Sequence, residues 1–119
     1  MDILIDLCDL RDSVAVMKRF SEILEFGTHP NGAPVGVGNW DAFEDCLRCL
    51  DEGGIYGTGK RIEFPCAITV RGYEAFQNSD PAGFAILKEI LDSKSDEYKH
   101  DTQDLRMSFA QNASCEKNP

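Results

Sequence analysis

The sequence predicts an α/β fold in which a small three-stranded parallel sheet is packed with helices. Two observations carry this. Apolar periodicity switches between strand-like and helix-like spacing in the order β, α, α, β, short α, α, β. Every strand is separated from the next by helix, and such crossovers make neighbouring strands parallel and their connections right-handed. The length of 119 residues suits one domain, since a chain of this size buries about 60–70% of its unfolded surface without metal or disulfide staples. No internal repeat is visible. We expect one domain over residues 1–112 and a flexible tail over 113–119.

Each element has a local cause. Ile3 to Leu7 is an apolar run broken only by Asp6, as expected of a buried first strand. Asp12 is positioned to cap a helix whose apolar residues Val14, Met17, Phe20 and Leu24 recur at helical spacing and stop before Gly27. Residues 27–38 hold two prolines and four glycines with no period, so they read as a long surface loop. Asn39 caps a second helix. Trp40, Phe43, Leu47 and Leu50 form its inward stripe, Asp41, Glu44, Asp45 and Arg48 point outward, and Gly53-Gly54 ends it. Phe64, Cys66, Ile68 and Val70 alternate into a strand that finishes at Gly72, and residues 73–76 suggest a short helical turn. Asp80-Pro81 pairs a cap with a proline at the first turn, and Phe84, Leu87, Ile90 and Leu91 supply the buried face of the helix it opens. Leu105, Met107 and Phe109 alternate into the last strand.

Twenty-one acidic residues against twelve basic ones give a formal charge of −9. Binding a phosphate backbone requires Lys and Arg, so nucleic acid is not the expected ligand; a cationic protein cleft is. No run approaches the eighteen or so apolar residues of a membrane span and no basic leader precedes Ile3, so a cytoplasmic chain is expected. Five cysteines at irregular spacing (Cys8, Cys46, Cys49, Cys66 and Cys115) point to reduced thiols.

Catalytic and metal chemistries find little support. Cys46 and Cys49 form a C-x-x-C, but inside a helix and beside acidic residues that would raise a thiol pKa; a small thiol enzyme is therefore the weaker reading. With His29, His100 and scattered cysteines there is no second ligand pair for zinc. The glycines and lysine of residues 54–60 match a phosphate loop, yet Arg61 replaces the magnesium-ligating hydroxyl and a strand follows. No cofactor is expected. The remaining feature is the second helix. Asp41 and Asp45 are one turn apart, where like charges disfavour the helix by roughly 0.2–0.5 kcal/mol. That placement fits a positively charged partner, for which complementary charge speeds encounter and fixes orientation. The competing reading is an ordinary solvated face, with Asp41 near the positive end of the helix dipole and Asp45 tied to Arg48.

Residues 38–47, Gly-Asn-Trp-Asp-Ala-Phe-Glu-Asp-Cys-Leu, resemble the core motif of the barstar family, small cytoplasmic inhibitors of secreted bacterial ribonucleases. The match includes Asn39, Asp41, Ala42, Asp45, Cys46 and Leu47, and the order of elements is similar. The resemblance implies a non-enzymatic immunity protein, a monomer that occludes the active site of a cognate basic toxin in a 1:1 complex. Asp45 would stand in for a substrate phosphate with Asp41 beside it, Gly38 and Asn39 would shape the turn into the helix, and Val37, Trp40 and Glu44 would complete the contact. Two departures are visible. Pro34-Val35-Gly36-Val37 stands where the family usually has aromatic residues before a glycine, and Glu44 stands where it commonly has tryptophan. The alternative is an immunity or adaptor protein of the same fold for a toxin or partner that is not a ribonuclease.

Overall fold

Strand β1 (Asp2–Asp6) is followed by helices α1 (Ser13–Leu24) and α2 (Trp40–Arg48), strand β2 (Cys66–Arg71), helices α3 (Glu74–Ser79) and α4 (Pro81–His100), and strand β3 (Leu105–Phe109). The computed structural model describes residues 2–50, 59, 61–63, 65–100 and 105–110, with α4 side chains described through Ser95. The Gly53-Gly54 stop, most of the 54–60 segment, Phe64, Cys115 and the 113–119 tail lie outside these residues.

The strands form one parallel sheet in the order β1-β2-β3. Ile5 pairs with Val70 and Val70 with Phe109, while Ile3 pairs with Ile68 and Ile68 with Met107. The register therefore stacks the alternating apolar residues into rows on one face. Ile5, Cys66, Ile68, Val70, Leu105 and Met107 are all buried there. On the other face none of Asp2, Leu4, Asp6, Ala67, Thr69, Arg71, Arg106 and Ser108 is buried, and Leu4 is 51% exposed. Parallel sheets are ordinarily covered on both faces; among the described residues this one buries its side chains on one face only.

Helix α1 starts as its cap predicts, with the Asp12 carboxylate accepting the Ala15 amide at 2.8 Å, and it ends at Glu25 in the left-handed region (φ 52°). Val16, Met17, Phe20 and Leu24 are buried, whereas Val14 is 51% exposed and does not belong to the inward stripe. Asp80 caps α4 by accepting the Gly83 amide at 3.0 Å on one oxygen and the Ser13 hydroxyl at 2.7 Å on the other, so one side chain ties the start of α4 to the start of α1. Leu87, Ile90 and Leu91 are buried on α4 as expected, and the same face continues to Lys94. Further along, Ser95 receives the Met107 amide at 2.9 Å and so anchors α4 to edge strand β3.

Two expectations need adjustment. Residues 27–38 are the loop expected but do not lie wholly on the surface, since Val35 and Gly36 are buried, and the loop closes on a tight turn. Thr28 and Pro34 form an antiparallel bridge, the His29 amide donates to the Ala33 carbonyl at 2.8 Å, and the Asn31 side chain accepts the Ala33 amide. Turn chemistry of this kind has no apolar period to betray it. The cysteines are not uniformly reduced either: Cys8 is disulfide-bonded, while Cys46, Cys49 and Cys66 are free. Spacing along a chain carries no information about which thiols meet in space.

Candidate functional site

The site is built on α2 and the turn before it. Gly38 adopts φ +94°, a conformation that L side chains rarely take, and the chain then passes into Asn39, whose extended backbone and side chain cap the helix. Asn39 Oδ1 accepts the Asp41 amide at 2.7 Å. Upstream, Val35 is only 1% exposed; the Ser21 hydroxyl donates to its carbonyl at 3.1 Å. Gly36 follows at φ +79°, where a Cβ would stand 2.9 Å from Cys46 Sγ and 3.0 Å from the Phe26 ring. The hairpin is thereby seated directly on α2. Val35, which sequence patterning left in a surface loop, belongs to the core, and Val37 beside it is half-buried.

Beneath α2, Phe43 packs edge-on against Phe20 (5.1 Å), Phe26 (5.9 Å) and Trp40 (5.2 Å between centroids). Edge-to-face pairs of this kind add to the benefit of burial. Phe43, Cys46 and Leu47 are the buried residues of the helix, with Trp40 half-buried at its start. Asp41 and Asp45 are exposed, as their spacing predicts, and they lie one turn apart on the outer side. Both readings of this face have a structural counterpart. The Arg48 guanidinium lies 3.1 Å from Asp45 Oδ1, with that carboxylate side chain still 55% exposed. Exposed pairs contribute only about 0–1 kcal/mol, so a partner cation can replace Arg48 at small cost.

Glu44 does not point freely outward with the two aspartates. Its Oε2 lies 3.1 Å from the ammonium of Lys94, a residue of α4 that is fully buried, and 3.8 Å from Arg48 Nη2. Half-buried and flanked by two cations, Glu44 faces the α2–α4 junction. Patterning alone did not find Lys94, although a signal existed: a lysine sits three residues after Leu91, on the buried stripe of α4, where an apolar residue would be ordinary.

The thiol alternative loses Cys46 as its nucleophile. Cys46 is fully buried, and desolvation, followed by the charges of Cys49 and Asp45, pushes its pKa up to about 12. At neutral pH Cys46 is therefore held as the thiol, a poor nucleophile. Among the described residues no group of three or more His, Cys, Asp or Glu side chains could hold a metal, and none of the described helices is long and apolar enough to cross a membrane.

The described residues form a parallel α/β layer that presents a capped helix with outward carboxylates. The family is specific: the family model described as Barstar (barnase inhibitor) matches residues 1–110, and the chain belongs to that family. The match spans all three strands and all four helices. Comparison with curated proteins finds no match.

Proposed function

We infer that this chain is an immunity protein that neutralises a cognate basic ribonuclease toxin by covering its active-site cleft with α2 and the preceding turn. The observation that carries this reading is the exposure of Asp41 and Asp45, one turn apart on a capped helix, in a chain that belongs to a family of inhibitors of a ribonuclease. Asp45 acts as the main phosphate mimic and Asp41 as its neighbour. Gly38 and Asn39 set the direction from which the chain enters the helix, and Val37 and Trp40 border the contact. The inhibitor is a cytoplasmic monomer with no catalytic role, protecting a bacterium from a toxin of its own or of a competitor.

The test is co-expression with the polypeptide encoded beside this one. Rescue of growth by the wild-type chain, lost in Asp41→Ala/Asp45→Ala, is the expected result; rescue that ignores both aspartates overturns the reading. In a titration against that polypeptide, Asp45→Ala is expected to weaken binding by about 2 kcal/mol or more, the level of an interface hot spot, with the unfolding midpoint little changed because the side chain is exposed.

A second reading keeps the surface and changes the target to a toxin that is not a ribonuclease. It is favoured by Glu44, which occupies the place of the family's common tryptophan and is drawn toward Lys94, so no aromatic side chain stands there for a nuclease to grip. Inhibition of RNA cleavage by the purified toxin separates the two.

A further inference from the structure

Lys94 is the only charged residue that is fully buried among the described residues. A buried ammonium without compensation is strongly disfavoured, and a carboxylate is among the groups that meet this one. That carboxylate, Glu44, belongs to the helix that carries the candidate binding face, and the two atoms are 3.1 Å apart. One residue corresponds to about 100° around a helix. Glu44 therefore lies a step round from Phe43, at the margin between the buried stripe and the exposed side of Asp41 and Asp45.

The helix has only nine residues, and its buried set is Phe43, Cys46 and Leu47. Apolar contact is non-directional, so a stripe this short constrains the rotation of α2 about its own axis less strictly than a directional contact does. A charge pair at the margin of the stripe is directional and adds to the packing of Phe43 in fixing that rotation. We propose that Lys94 is a positioning residue for the α2 face: by holding Glu44 from the core side it helps to set the rotation of the helix, and so to aim Asp41 and Asp45, while withdrawing Glu44 itself from the partner. The functional meaning rests on the reading of α2 as the toxin-binding face; the mechanical claim does not.

Trp40, the only tryptophan of the chain, stands at the first turn of α2 against Phe43 and reports on the helix without any partner. In Glu44→Leu/Lys94→Met the pair is replaced by apolar side chains that keep the packing, a change that is often neutral for global stability. The expected result is an unchanged unfolding midpoint, amide exchange of residues 43–48 faster by about tenfold with that of β2 unaltered, and a red shift of Trp40 emission. Exchange and emission like those of the wild type overturn the proposal. So does equal acceleration in α2 and β2, which would make the pair a support of the whole fold. Should the double variant fail to fold, Glu44→Gln removes the charge alone, with smaller changes expected in the same two readouts and wild-type values overturning it. If α2 responds while Asp45→Ala leaves toxin binding intact, the toxin-binding reading fails and the positioning of α2 stands.

Discussion

Cys46 and Gly36 form one contact, and each constrains what the other can do. With its thiol pushed up to about 12 by burial first and by the Cys49 and Asp45 charges next, Cys46 should resist iodoacetamide at neutral pH in the folded chain and react on unfolding, as mass spectrometry would register. Gly36→Ala places a methyl within 3.0 Å of Cys46 Sγ and the Phe26 ring at a positive φ. Overpacking and backbone strain together should lower stability by about 2 kcal/mol, measurable as a shift in the denaturant midpoint. Legibility at this scale follows exposure. Asp41 and Asp45 could be read directly, because helical spacing determines which residues share an outer face. Glu44 could be counted as acidic but not placed, since its partner Lys94 is fifty positions away in the chain. Val35 was hidden for the opposite reason: it packs through a hairpin whose hydrogen bonds are backbone-made and leave no period.

Helix starts were the most legible features, because caps are local chemistry, whereas the end of α2 was not: it stops at Arg48, with Cys49 as its C-cap, short of the expected Gly53-Gly54. Asp12, Asn39 and Asp80 each stand where the chain predicts a helix start, and α4 begins at Pro81 as its cap and proline require. The Asp80 carboxyl is held below its usual range by the Ser13 hydroxyl and then by the Gly83 amide, which outweigh the opposing effect of burial. A depressed native pKa means that this support for folding is complete above the ordinary carboxylate value of 3.8 and fades as pH falls through the lower native value. Asp6 behaves alike: burial alone would raise its pKa, but the Cys8 amide, Arg71 and Arg19 together bring it down. Wild-type stability should therefore decline below about pH 4, and the gap between wild type and Asp80→Asn should narrow over the same range in urea melts. The 28–34 hairpin was the least legible element, being defined by a single bridge and its turn.

At the level of the molecule, the β, α, α, β, α, α, β order and the parallel sheet were legible together, and the open outer face explains why. A fully covered parallel strand is apolar on both sides; here β2 and β3 alternate because one side meets water, which gave them a visible period of two. Leu4→Lys on the open face should change stability by no more than about 0.5 kcal/mol, whereas Ile5→Ala, one residue on and fully buried, should cost about 2–5 kcal/mol; thermal melts compare them directly. The charge of −9 should also make association with a basic toxin slow as salt rises, since screening acts over about 10 Å at 0.1 M; stopped-flow rates independent of salt would point to an apolar contact instead. The one-sided stacking of helices has a practical corollary. Thr69 and Ser108, neighbours in the central and edge strands, lie on the sheet face opposite the buried one, so a dye, a bead or a fused carrier attached there would leave the proposed binding side unobstructed.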